Sequence, residues 1–254
     1  MTYTNKKIDN LEVKIFENRV EMGATAAAEA AEFLVKLGRE KDEINILFAA
    51  APSQDDIYGA LIKEPGIPWE KINAMQLDDY IGINSDAPQR FANYLKEHVF
   101  KYVSLKNIFL INCENPSIED ELASYNDILG KYPVDVSFIG IGENGHLAFN
   151  DPSVADFNDK SLIKIVELEE ASRVQQVNDG CFEKVEDVPK KALTVTIPAI
   201  LNAKKVVCVV PSSTKSNAVY NTLYQEIDEK FPSTILRKHE NATLFLDKDS
   251  ASKI

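Results

Sequence analysis

Apolar residues fall along this chain in two alternating patterns. Ala27, Ala30, Ala31, Leu34 and Leu37 recur at the spacing of one helix face, inside an Ala-rich stretch over 22–36 that reads as core packing. The run that follows at 44–50, Ile-Asn-Ile-Leu-Phe-Ala-Ala, is short and nearly continuous, as expected of a strand buried on both faces. Ser53 then stands ahead of a helical stretch reaching about residue 62, and 72–77 predicts a second strand that ends in Asp78, Asp79 and Tyr80. Residues 88–100 predict a helix with Phe91, Tyr94, Leu95 and Val99 on one side, followed by a strand at 107–111, a helix at 118–132 and a strand at 134–139 that runs into a glycine-rich loop. Strands at 162–166, 192–196 and 206–210, a helix at 216–224 and a last strand at 242–246 complete the pattern.

Strands alternating with helices predict an α/β fold with a mainly parallel sheet, helices on both faces, and functional loops at the carboxyl ends of the strands. No repeat, low-complexity tract or linker interrupts the alternation, so residues 1–254 are expected to form a single domain.

Composition narrows the class. The chain is 44% hydrophobic and 27% charged, with no apolar run of membrane-spanning length, and its first residues lead into polar sequence instead of the apolar stretch of a secretory signal. A cytoplasmic protein with no membrane partner is expected. Its three cysteines, Cys113, Cys181 and Cys208, are far apart and form no metal-ligand spacing, so no metal is expected. A formal net charge of −12 opposes binding to nucleic acid or an anionic membrane, because both would be repelled before contact. A small anionic ligand remains compatible, since one phosphate needs only a local pocket of N–H groups and one or two cations.

The loop at 140–145 spells Gly-Ile-Gly-Glu-Asn-Gly directly after a strand, which matches the dinucleotide-binding fingerprint in letters. That fingerprint needs a helix to begin inside the loop. Here the chain continues His146-Leu-Ala-Phe-Asn-Asp-Pro152, and Pro152 leaves little room for one. The loop reads better as a flexible backbone presenting Asn144, His146 and Asp151 at a sheet edge, with Gly142 and Gly145 as close backbone contacts to a substrate. His146 is the acid/base candidate, since its side chain titrates near neutrality.

Four segments occurring in order carry a family resemblance: 77–83 (Leu-Asp-Asp-Tyr-Ile-Gly-Ile), 140–152, 188–195 (Val-Pro-Lys-Lys-Ala-Leu-Thr-Val) and 232–236 (Pro-Ser-Thr-Ile-Leu). Together they resemble the glucosamine-6-phosphate deaminases and the related galactosamine-6-phosphate isomerases. The resemblance implies a Rossmann-like fold, no organic cofactor or metal, a small-molecule sugar phosphate as partner, usually a homo-oligomer, and a hydrolytic deamination in amino-sugar catabolism. By the family pattern, Asp78 matches the carboxylate that moves a proton between C2 and C1 of the opened sugar. His146 matches the ring-opening histidine, and Asp151 the acid that orients it. Lys215 matches the phosphate lysine and Ser53 the hydroxyl donor of the phosphate turn.

The sequence also departs from the family. Residues 49–54 are Ala-Ala-Ala-Pro-Ser-Gln where a Gly-rich turn is usual, Asn144 stands where deaminases usually carry aspartate, and Arg173 keeps an arginine near the family's phosphate-binding segment as a further contact. Asn144 resembles the galactosamine enzymes and opens the epimeric substrate as an alternative. A 6-phosphogluconolactonase and a non-enzymatic sugar-phosphate sensor rank lower: the first usually has Asp-Glu-Arg in place of 78–80, and the second needs a DNA-binding module that the N-terminal region is too short to supply. Without the resemblance, Asp78 and Asp79 read as solvated acids at a strand end, and Lys215 as a lysine at a helix start. Asp79 is expected to be structural.

Overall fold

The computed structural model describes residues 3–254. In chain order the elements are β1 (Thr4–Ile8), β2 (Leu11–Phe16), α1 (Arg19–Glu40), β3 (Ile44–Phe48), α2 (Asp55–Leu61), β4 (Ile72–Gln76), β5 (Asp78–Tyr80), α3 (Phe91–His98), β6 (Asn107–Phe109), α4 (Ile118–Lys131), β7 (Val136–Ile139), β8 (Ile163–Glu167), α5 (Glu170–Asn178), β9 (Lys191–Val195), α6 (Ile197–Leu201), β10 (Lys205–Val210), α7 (Ser216–Tyr224) and β11 (Ala242–Asp247).

Eight strands form the main sheet in the order β1-β2-β11-β10-β7-β3-β4-β6, parallel except for the β1–β2 hairpin. From β3 the chain steps outward through β4 and β6, then returns to the other side of β3 as β7 and steps away through β10 and β11. The carboxyl ends of β3 and β7 therefore flank the point where strand order reverses, which is where open α/β sheets bind ligands. Helices α1, α2 and α3 pack on one face around Phe48, Phe138 and Phe245, and α4, α6 and α7 on the other around Leu47, Ile139 and Leu244.

Local chemistry explains the elements. The Asn18 side chain accepts the Glu21 N–H at 2.9 Å to start α1, whose buried stripe runs from Met22 to Leu37. The helix lies so close to α2 that a Cβ on Gly23 would sit 2.5 Å from the Asp56 side chain. At the opposite end of the sheet from the switch point, Asn45, Asn73 and Asn107 stand in register across β3, β4 and β6. Each donates to the next acceptor in line: Asn107 to Asn73 at 2.7 Å, Asn73 to Asn45 at 2.8 Å, and Asn45 to the Pro133 carbonyl at 2.9 Å.

The sequence pattern located most of these elements within a few residues, and the structure corrects several. The helix expected from residue 88 begins at Phe91, because Asp79 accepts the Phe91 and Ala92 N–H groups and sets its start there. Asp78 to Tyr80, expected as the polar end of a strand, form β5, part of a second, antiparallel sheet in the order β5-β9-β8. The β1–β2 hairpin, α5 and α6 are additions to the expected pattern.

Candidate active site

One pocket opens at the switch point, lined by three loops together with β5 and α5. The turn after β3 brings Ala49 to Ala51, then a 3-10 turn over Pro52–Gln54. Arg19 donates to the Pro52 carbonyl at 2.9 Å and steadies this turn. The Gln54 amide, fully buried, donates to Ser53 Oγ at 3.2 Å. With that lone pair occupied, the Ser53 hydroxyl is left with its proton to give to an anion in the pocket.

Asp78 enters from β5, held by pairing with Thr194 of β9. It is 6% exposed, and no donor among the described residues hydrogen-bonds its carboxylate. Burial, with the neighbouring Asp79 charge, pushes its carboxyl well above the usual range. Its neighbour has a different fate. Asp79 accepts from Gln76, Arg90 and the backbone of Tyr80, Phe91 and Ala92, so every lone pair is engaged in structure.

His146 comes from the loop after β7. Gly142 N–H donates to the His146 carbonyl at 3.0 Å, Gly145 N–H to the Gly142 carbonyl at 2.9 Å, and His146 N–H to Asn144 Oδ1 at 3.1 Å. Gly145 has φ +91°, a conformation that a side chain resists, and a Cβ on Gly142 would lie 2.2 Å from the imidazole. Both glycines thus shape the loop around the histidine. Their N–H groups are spent inside the loop; Gly142 lines the pocket and Gly145 does not. After Gly145 the chain makes turns and a Leu147–Asn150 bridge where a dinucleotide fold would start its helix.

Behind the imidazole, Nδ1 lies 3.1 Å from Asp151 Oδ1 and 2.9 Å from Ser172 Oγ. Asp151 is fully buried and also accepts from Asn144 Nδ2 at 2.9 Å, from the Ser172 hydroxyl, and from the Glu169 N–H at 3.2 Å. Burial opposes its charge, but the His146 contact and the Ser172 and Asn144 hydrogen bonds win and hold it at about 2. Nδ1 is therefore engaged, and Nε2 is the nitrogen left for the pocket.

Lys215 ends the 3-10 turn Ser213–Lys215 between β10 and α7. Asp247 accepts the Ser212 and Ser250 N–H groups and braces this turn from the end of β11. The lysine is 4% exposed, and among the described residues its ammonium makes no hydrogen bond or ion pair. Burial lowers its pKa, opposed by the more distant charges of Asp179 and Glu143.

Asp78, His146, Ser53 and Lys215 therefore line one pocket, with Asp151 and Asn144 supporting the histidine from behind. Arg173 is a correction. Its guanidinium turns away and donates to the Val185 and Val188 carbonyls, tying α5 to the segment before β9. In its place α5 offers Ser172, Gln175 and Gln176, all buried at i, i+3 and i+4, with Gln175 and Gln176 lining the pocket. Sequence reasoning missed them, although polar residues at that spacing beside exposed Val174 signal a helix with its polar side turned inward. The other motif segments are scaffolding: Thr194 Oγ1 accepts the Phe149 N–H at 3.0 Å, and the Ser233 N–H donates to the Gly145 carbonyl at 2.9 Å.

Among the described residues no group of three or more His, Cys, Asp or Glu is placed to hold a metal ion. A wider groove of about 930 Å³ runs along α1, but Glu29 there is already paired with Lys14 and no histidine lines it. The smaller pocket is the candidate site, because an acid and a cation without partners among the described residues and an oriented imidazole converge on it.

The chain matches the sequence profile of a family described as glucosamine-6-phosphate isomerases/6-phosphogluconolactonase over residues 17–245. It is 32% identical over 228 residues to a glucosamine-6-phosphate deaminase of Listeria monocytogenes, covering 89% of this chain and 95% of that protein. A deaminase of the same name from Streptococcus sanguinis is 30% identical over 236 residues, covering 93% and 96%. Among solved structures, a monomeric glucosamine-6-phosphate deaminase aligns with a TM-score of 0.84 at 28% identity, covering 94% of this chain and 98% of its own. A 6-phosphogluconolactonase of Thermotoga maritima, at 18% identity and a TM-score of 0.76, shares the fold.

Proposed function

This chain belongs to the glucosamine-6-phosphate isomerase/6-phosphogluconolactonase family, and on that premise we propose that it is a cytoplasmic glucosamine-6-phosphate deaminase. The observation that carries the reading is the convergence of three groups lacking partners of their own on the pocket side: the Asp78 carboxylate, His146 Nε2 and the Lys215 ammonium. Each suits one demand of the reaction. Lys215 and the Ser53 hydroxyl hold the phosphate. Nε2 of His146 moves a proton between the anomeric hydroxyl and the ring oxygen, opening the pyranose to its aldehyde.

Asp78 then removes the C2 proton and returns it to C1 while the ammonium nitrogen gives up one proton and O1 gains one, which makes C1 a hydroxymethyl carbon and C2 an iminium. A desolvated carboxylate with a raised pKa is matched to that transfer, being a stronger base than a solvated one. Water adds to C2 and the C–N bond breaks, so glucosamine 6-phosphate plus water gives fructose 6-phosphate plus ammonia. The hydrolase label attaches to this last step, and the proton shift before it is an aldose–ketose isomerisation.

The galactosamine alternative rested on Asn144, whose side chain engages Asp151 and the His146 backbone and lines no part of the pocket. It therefore supplies no contact to a sugar hydroxyl. The test is ammonia and ketose phosphate released from glucosamine 6-phosphate by purified protein, with galactosamine 6-phosphate and 6-phosphogluconolactone in parallel. Absence of both products from a folded protein defeats the proposal; faster turnover of either parallel substrate replaces it.

A further inference from the structure

The family resemblance places one acid behind the histidine, and the structure adds a hydroxyl that touches both. Ser172 Oγ lies 2.9 Å from His146 Nδ1, nearer than the 3.1 Å to Asp151 Oδ1, and the same hydroxyl donates its proton to that carboxylate. A hydroxyl has one proton and two lone pairs. With the proton given to Asp151, Ser172 can only accept from the imidazole, so both neighbours of Nδ1 are acceptors and the ring proton belongs there. Ser172 is 1% exposed and set in α5, so its geometry is fixed by the helix.

We infer that Ser172 is a positioning residue that completes a His146–Ser172–Asp151 chain, holding the proton on Nδ1 and keeping Nε2 presented to the substrate. This deepens the proposed deaminase reading and rests on it for its kinetic part only. The chain is cooperative: the carboxylate polarises the hydroxyl, which then accepts more strongly from Nδ1. Asn144 Nδ2 and the Glu169 N–H hold the carboxylate on its remaining sides. Other charges facing the imidazole are Asp78 and Lys215 across the pocket. Removing the hydroxyl leaves the ring against a bare carboxylate, and an opposite charge in direct contact favours the imidazolium.

The experiment compares the parent with S172A and S172T by ¹⁵N NMR of the imidazoles and by steady-state kinetics. There are only three histidines, so a spectrum of the H146Q protein identifies the His146 signals. In the parent, Nδ1 is expected to carry the proton at neutral pH. In S172A the His146 titration midpoint is expected to rise, and the matching limb of the kcat/KM profile to rise with it. kcat falls about tenfold and KM stays within about twofold, the pattern of a group that acts in the transition state. S172T, which keeps the hydroxyl, is expected to restore both the midpoint and kcat. An unchanged or lowered midpoint in S172A overturns the inference, as does a folded S172T protein no better than S172A. The NMR arm needs no substrate: if the parent releases no ammonia but the midpoint moves, the proposed function falls and the role of Ser172 stands.

Discussion

The two ends of the main sheet bury polar groups to opposite effect. At the amino end of the strands, Asn45, Asn73 and Asn107 form a closed ladder, and Asp135 accepts from Lys41, from Lys204 at 3.0 Å and from the Asn45 N–H at 3.0 Å. At the carboxyl end, Asp78 and Lys215 are also buried, and among the described residues their carboxylate and ammonium have no partner. A polar group taken from water costs free energy unless it is bonded again. The satisfied end recovers that cost within the protein and fixes strand register. The unsatisfied end leaves it outstanding, and a ligand is the natural way to recover it. Burial alone does not mark the site; burial without satisfaction does.

The sharpest way to break this comparison is Asp78→Asn. Loss of the base is expected to lower kcat by about a thousandfold or more and to abolish exchange of the substrate C2 hydrogen with solvent, read by deuterium incorporation. Stability should move the other way. Burial and Asp79 raise the folded-state pKa of Asp78, so its contribution is intact below the unfolded pKa and is lost as pH rises through the folded value. At pH 7 the neutral amide removes that cost, and Tm is expected to rise. A lower Tm would show that Asp78 is satisfied after all.

Next in size is Lys215→Ala, expected to raise KM about 10- to 100-fold, as loss of a charge-assisted contact does, with a much smaller change in kcat. Because burial lowers the pKa of Lys215, the parent should lose substrate affinity on the alkaline side earlier than a solvated lysine would dictate. Lys215→Arg should flatten that limb, and KM against pH for the three proteins checks both statements.

At the satisfied end the pattern reverses. Asp135→Ala orphans the buried Asn45 N–H and takes the ion-pair partner from two partly exposed lysines, so it is expected to cost about 2 kcal/mol in denaturant unfolding and leave kcat unchanged. The smallest effect is expected of Asn144→Asp. It sets a second carboxylate against Asp151, and two acids at that distance share a proton. The acid limb of kcat should move to higher pH, with a loss of about threefold at neutrality. An unmoved acid limb would mean that Asp151 is not read out by the histidine.

Much of this organisation was legible from the chain. Apolar runs such as that of β3 and the stripe of α1 are driven by burial of whole faces, which leaves periodic marks in sequence. Elements whose buried faces are polar left no such mark. α5 was passed over because Ser172, Gln175 and Gln176 are its inner side, and β1 because Thr-Asn-Lys-Lys-Ile is an exposed edge. Arg173 was placed near the phosphate from its position in a segment, but a helix side is decided by a rotation of about 100° per residue, and its neighbour Ser172 faces the site instead.

What the sequence determined by itself is the class of fold, the strand ends that carry loops, and the identities of one acid, one histidine and one lysine able to do the chemistry. The fold and its loops depend on short-range periodicity, whereas the three residues were singled out by the family resemblance that their motifs carry. What only the tertiary structure decided is which polar groups find partners. Asp78 and Asp79 are adjacent, identical and both in β5, yet the Asp79 carboxylate is engaged by Arg90 and the start of α3 while that of Asp78 has no partner among the described residues. Satisfaction is set by groups far away in sequence, because a hydrogen bond depends on ångström-scale approach that only the closed fold provides.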